Sequence, residues 1–298
     1  MISLSMLLFM RMGVPASREA HTRLYVNNEY VGLYTIVESI DKVFLKEHFG
    51  EDGGYLYKYN YDSGDPPHYL EYLGSDPALY SPKPFQPETH EQDPDPKPIV
   101  DMIRAINETP DSDFLSVMAS YLDLTQFITQ MAVENFVADI DGFLGDFGAN
   151  NVYLYLFEKK PFSTFLPWDK SEAFKGGIEF GIWHNISDVM PSIRNRLMDR
   201  AMQFIDLRDV YLDALLKCAT IATSPDPALP SQPGSAANQP GWLEQEITYE
   251  YGQIRSAALE DRFKPYSNEE FEESIQQLLT FARERSAFVQ RDVARSRR

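Results

Sequence analysis

The chain has 298 residues, 43% hydrophobic and 24% charged, the proportions of an ordinary globular protein large enough for one big domain or two lobes. A formal net charge of −18 argues against a basic, phosphate-binding face, so nucleic acid is not an expected partner. Cys218 is the only cysteine, which excludes an internal disulfide and any cysteine-based metal cluster.

The first apolar run, around Leu7-Leu8-Phe9-Met10, is too short for a membrane span and lacks the basic start and small-residue cleavage site of an export signal. Leu4, Leu7, Leu8 and Met12 recur at helical spacing, so a core helix is expected there, ended by Gly13 and Pro15. A chain opening inside a core helix is expected to lack some upstream sequence. Thr22–Val26 and Tyr30–Val37 are rich in β-branched and aromatic residues and flank Asn27-Asn28-Glu29, a hairpin pattern. Ile40–His48 reads as a short helix closed by Gly50, and Tyr55–Lys58 as a strand. Residues 61–98 carry many prolines, Asp and Gly, with no sustained period, and read as an irregular excursion between two lobes.

Helical signal returns near Ile99. Asp123 with Gln126 fits a capped helix start, with Leu124, Phe127, Ile128 and Met131 on one face and an end near Val137. A loop with three aspartates, 139–150, leads into two strands, 151–157 and 162–168, joined by a turn at Glu158-Lys159-Lys160. Beyond Asp169 the pattern is irregular to about Met190. Helices are then expected over 191–203, 207–223, 242–259 and 269–293, with Asp206 and Ser267 as N-caps, the latter boxed by Glu270. Residues 224–240 read as a flexible Pro/Ser/Ala linker.

The chemistry resides in one constellation: an acidic loop after a helix, Asn150-Asn151, a β-hairpin, and a carboxylate, Asp169, at the hairpin's exit. Phosphoryl transfer uses such a set, one carboxylate orienting the attacking hydroxyl while an Asn and a second carboxylate hold Mg2+ against nucleotide phosphates. Asp141 or Asp146 could fill the first role, with Asn151 and Asp169 as metal ligands. By spacing alone, an Asp-rich loop is equally what a solvated turn looks like, and Trp168 could simply be core. The five histidines show no paired ligand spacing, and neither a Gly-x-Ser-x-Gly elbow nor a Walker loop is present. Tyr55, Tyr57, Tyr59 and Tyr61 alternate, as on a packed aromatic sheet face.

Val26-Asn-Asn-Glu-Tyr-Val-Gly-Leu-Tyr-Thr-Ile-Val-Glu38, Ile40-Asp-Lys-Val-Phe-Leu-Lys46, Gly54-Tyr-Leu-Tyr-Lys58, Asn150-Asn-Val-Tyr-Leu-Tyr155 and Leu166-Pro-Trp-Asp169 resemble, in order, the signatures of the spore-coat CotH family of atypical protein kinases. Asn195-Arg-Leu-Met198 and Leu207-Arg-Asp-Val-Tyr211 extend the resemblance. It implies an α+β fold, a diverged two-lobed protein-kinase architecture. The partial N-lobe would span 1–60, and the helical C-lobe, 99–298, would carry a β-hairpin at its active site. It further implies ATP with Mg2+ or Mn2+ as cofactors and a protein substrate that is extracellular, in the envelope or in the spore coat.

On residue roles, the resemblance favours Asp141 as the catalytic acid. Asp146, however, has the five-residue offset to Asn151 found in ordinary kinase catalytic loops. If the first helix plays the αC part, the Gly-rich loop and usual phosphate-binding lysine lie upstream of Met1. Glu38 then sits at the hinge near the adenine, or serves as an acid at a helix start. Lys58 becomes a substitute phosphate contact, or a surface lysine. Ser171 stands where the family often has a second acid, with Glu172 beside it. A catalytically inactive pseudokinase, or a structural or adhesive protein on the same fold, is the rival expectation.

Overall fold

The computed structural model describes residues 2–60, 66–159, 162–230 and 239–298. The first helix, α1 (Ile2–Arg11), buries Leu4, Leu8 and Phe9 in the main core. Strands β1 (Glu19–Val26) and β2 (Glu29–Val37) form a two-stranded antiparallel sheet, with Asn27 and Asn28 at φ +52° and +67° as the expected turn. β1 starts earlier than its propensity suggests, because Glu19 and Ala20 complete the ladder opposite Val37 and Ile36. Helix α2 (Lys42–Phe49) is capped by Asp41, whose carboxylate accepts the Val43 and Phe44 amides, and ends at Gly50 with φ +74°.

Strand β3 (Tyr55–Tyr59) enters a second sheet of order β4-β3-β5-β6, with β4 (Phe85–Pro87), β5 (Val152–Leu156) and β6 (Ser163–Pro167), all pairs antiparallel. One face of this sheet carries Leu56, Tyr153, Tyr155 and Leu166 and is covered by Ile40, Phe44 and Leu45 from α2 and its lead-in. The other face presents Tyr57, Tyr59 and Leu154 to the main core, so alternation there served packing; Tyr61 lies outside the described residues.

The expected irregular excursion, over its described part 66–96, is largely turns and bends, and it is packed onto the core. Leu70, Tyr80 and Phe85 are fully buried, β4 extends the sheet, and Ala149 N donates to His68 O (3.0 Å). Those apolar residues are too sparse to give a period, yet each fills the core.

Helices α3 (Lys97–Glu108), α4 (Asp111–Met118) and α5 (Leu124–Phe136) follow, Asp123 capping α5 through the Thr125 and Gln126 amides. The expected 191–203 helix divides into a 3-10 turn, Pro191–Ile193, and α6 (Arg196–Ala201), because Asn195 caps a fresh start through Met198 N. Helix α7 (Ile205–Thr223) begins before Asp206, which therefore lies in its first turn instead of capping it. The linker's described end is anchored: Asp226 pairs with Arg11 and its amide donates to Gln245 (2.8 Å), while 231–238 lie outside the described residues. Helices α8 (Trp242–Glu260) and α9 (Asn268–Ser296) close the chain, and Ser267 and Glu270 form the expected capping box. Among the described residues, no helix is long and apolar enough to cross a membrane.

Arg285 of α9 is wholly buried and ties three elements together. It donates to Asn135 O (2.6 Å) and Phe136 O (3.0 Å) at the end of α5, and to Ile178 O (2.7 Å) and Phe180 O (2.6 Å) in the segment after β6. Burial lowers its pKa to about 10, still leaving it charged at neutral pH. Arg285→Met strands four buried acceptors, and an unmade buried hydrogen bond costs roughly 1–3 kcal/mol. Urea unfolding is therefore expected to show a loss of about 3 kcal/mol or more; a loss under about 1 kcal/mol contradicts the clamp.

Candidate functional site

Helix α5 is buried on all sides at its C-terminal end, and Glu134 there is almost wholly inaccessible. Lys170 Nζ lies 2.8 Å from Glu134 Oε1 and 3.0 Å from Asp139 Oδ2, and none of the three side chains is exposed to more than a trace. Burial opposes the charge on Lys170, but Asp139 and Glu134 outweigh it and hold its pKa above the ordinary lysine value. Glu134 Oε2 also accepts the Phe143 amide (2.8 Å), and Asp139 Oδ1 accepts the Asp141 amide (3.1 Å). Loop 139–150 is thus folded around two carboxylates and one ammonium. Gly142 is required at the tightest approach: a Cβ there would sit 2.7 Å from both Asp139 Oδ2 and Glu134 Oε2.

That loop presents Asp141 to the asparagines. Asn150 Nδ2 donates to Asp141 Oδ1 (2.9 Å), and Asn151 Nδ2 donates to Asp141 Oδ2 (3.0 Å) and to its carbonyl (2.7 Å). Burial raises the Asp141 pKa, partly offset by these amide bonds. Asn151 and Asp169 flank the two strands of one hairpin: Val152 pairs with Pro167, and Trp168 N donates to Asn151 O (3.0 Å). Both residues adopt positive φ, +51° and +39°, a region in which non-glycine residues are uncommon. Asp169 is exposed, and among the described residues no cation pairs with it; its only hydrogen bond there is a long one from Ser171 N (3.4 Å).

The other expected site residues fall elsewhere. Asp146 points to His184 Nε2 (2.6 Å) and Asn185 Nδ2 (3.1 Å), so the structure gathers Asp141, not Asp146, with Asn151. The Glu38 carboxylate is committed to Arg18, which holds its pKa below the ordinary value, and the acid at the head of α2 is Asp41. Lys58 Nζ sits over the Tyr153 and Trp168 rings, 6.0 and 5.8 Å from their centroids. Glu172 pairs with Lys175 (2.6 Å). Tyr153 and Trp168 also line a cleft of about 590 Å3 with Ser39, Ile40, Leu56 and Glu88, joining the strand end after Glu38 to the hairpin.

The donor set fits a hard divalent cation. Asn151 spends its amide nitrogen on Asp141, which leaves its Oδ1 as a free oxygen donor, and Asp169 follows the strand paired with the one that Asn151 leads; oxygen ligands are what Mg2+ and Mn2+ prefer. Among the described residues, no group of three or more His, Cys, Asp and Glu converges as a metal cage, so phosphate oxygens would have to complete the shell.

Sequence reading missed the supporting triad. Glu134 carried a signal, a charge inside the apolar run Met131-Ala-Val-Glu-Asn-Phe-Val137, whereas Lys170 looks like any solvated lysine. Removing one partner of a buried ion pair typically costs about 3–5 kcal/mol. Lys170→Met is therefore expected to reduce stability by that much in urea unfolding, and Glu134→Gln in the same chain to recover part of it. Equal stability of wild type and Lys170→Met would contradict the assignment.

The family model described as CotH kinase protein matches residues 3–220. No curated protein matches the chain.

Proposed function

Because this chain belongs to the CotH kinase family, whose kinase-like two-lobed fold its α+β architecture is consistent with, we propose that it is an ATP-dependent protein kinase. The proposed acceptor is a Ser or Thr hydroxyl on a secreted, envelope or spore-coat protein. The observation that carries this reading is the convergence of Asp141, Asn150 and Asn151 at the hairpin that ends in Asp169.

In this reading Asp141 accepts the proton of the attacking hydroxyl. Partial burial makes its carboxylate more basic than a free aspartate, and the two amide donors fix both oxygens in place. Asn151 Oδ1 and Asp169 would hold Mg2+ or Mn2+, which supplies charge neutralisation at the nucleotide phosphates. The cleft beside Ile40, Leu56, Tyr153 and Trp168 has the volume and mixed lining of a nucleotide-sized site. In this reading Lys58, whose ammonium lies over the Trp168 ring, meets phosphate oxygens by extending its flexible stem.

The rival, a pseudokinase or structural surface protein, is favoured by one observation: Asn151 and Asp169 are few ligands for a metal site. A radiolabelled-ATP assay with Mg2+ or Mn2+ and a generic Ser/Thr protein substrate separates the two. Asp141→Ala and Asp169→Ala are each expected to lose about 10²-fold or more of wild-type incorporation, the scale of general base and electrostatic contributions. Asp146→Ala is expected to stay within about threefold of wild type, because its partners lie outside the set. Equal incorporation by all four proteins would refute the site, and none by the wild type would favour the rival.

A further inference from the structure

Away from the candidate site, segment 183–194, α6, the first turn of α7 and the end of α9 line an open pocket of about 350 Å3. Its lining includes Trp183, Ser187, Arg194, Asp199, Gln203 and Arg208. The charge there runs against the rest of the molecule. In a chain of net charge −18, this wall has two guanidinium groups and one carboxylate.

That carboxylate is already engaged, since Asp199 Oδ1 accepts from Arg194 Nη1 (3.0 Å). Arg194 is further fixed by donation from Nε to Val189 O (2.9 Å) and from Nη2 to Ser187 O (3.2 Å). Its fork is oriented, and some of its five N–H donors remain unused. Arg208 is exposed, and its guanidinium makes no ion pair or side-chain hydrogen bond with any described residue. A planar fork of donors matches the paired oxygens of a carboxylate or phosphate. Trp183, Ile186 and Met202 supply an apolar surface for the stem that carries such a group.

The same wall is latched to the loop that holds Asp141. Residues next to Trp183 reach across: His184 Nε2 to Asp146 Oδ1 (2.6 Å) and Asn185 Nδ2 to Leu144 O (2.9 Å). The geometry points to a docking pocket for an anionic side chain, Asp, Glu or a phosphorylated Ser/Thr, presented by the protein substrate. Only the identity of the presenting protein rests on the kinase reading; the binding itself needs no catalysis. The pocket selects acceptor proteins carrying an acidic or already phosphorylated residue, and Arg208 is its specificity-determining group.

The test is calorimetry on the full chain carrying Asp141→Asn, without nucleotide, so that turnover plays no part. The probes are short Ala/Gly-flanked peptides centred on phosphoserine, glutamate or serine, and inorganic phosphate. Phosphoserine or glutamate peptide is expected to bind, and serine peptide not to. Arg208→Gln is expected to weaken binding at least tenfold and Arg208→Lys to retain part of it. Arg208 is solvent-facing and structurally uncommitted, so its variants fold. No anionic peptide binding up to millimolar concentration, equal binding by wild type and Arg208→Gln, or inorganic phosphate bound as tightly as the peptides would each overturn the pocket. Arg208-dependent peptide binding in a chain with no kinase activity would uphold it while the kinase reading fails.

Discussion

The buried Lys170 ammonium between Glu134 and Asp139 is the interaction on which the site depends. Each carboxylate has a second duty toward the backbone of loop 139–150, so the charge triad also fixes where Asp141 stands. Lys170 follows Asp169 directly, and burying the one turns the chain so that the other is exposed at the hairpin's end. Three charges in a dry interior are costly, and a packed apolar substitute would often stabilise a fold more. What an ionic centre provides here is position: it joins a helix end, a loop and a strand end, parts with little local structure of their own.

A second constraint comes from beyond residue 220, where the family match ends. Arg285 of α9 binds carbonyls on both sides of the triad, at the end of α5 and in the segment after Asp169. Helix α8 meanwhile braces the β1–β2 hairpin, through Arg23 to Glu260 (2.6 Å), Tyr30 Oη to Ala257 O (2.8 Å) and Leu33 N to Asp261 Oδ2 (3.0 Å). The two C-terminal helices therefore hold the β1–β2 hairpin and the segments on either side of the triad. Their contribution is structural, carried by apolar side chains such as Trp242, Ile247, Phe281 and Val289 in the main core, by one buried guanidinium and by a short row of polar contacts.

Much of the fold was legible because local rules decide it. The Asn27-Asn28 turn, the Asp123 and Ser267 caps and the Gly50 stop are all local chemistry, and all appear. Where tertiary contacts decide, less was legible: Asn195 restarts a helix within the span expected to be continuous, and the buried Leu70, Tyr80 and Phe85 pin the irregular segment to the core. At the site, Asn151 and Asp169 were visible as motif residues. Between Asp141 and Asp146, spacing alone favoured neither and the resemblance favoured Asp141; the loop's wrapping around Glu134 sets Asp141 against Asn151 and turns Asp146 to His184. Glu38 illustrates the same limit, because its Arg18 partner is twenty residues away and set by pairing of β1 with β2.

The proposed cation site of Asn151 and Asp169 is tested directly by electron paramagnetic resonance of Mn2+ with a non-hydrolysable ATP analogue. Wild type is predicted to take up nucleotide-dependent Mn2+ in stoichiometric amounts, with uptake lost in Asp169→Asn and retained in Asp146→Asn. Identical Mn2+ uptake by wild type and Asp169→Asn would contradict the central claim that this hairpin end is a metal–nucleotide site.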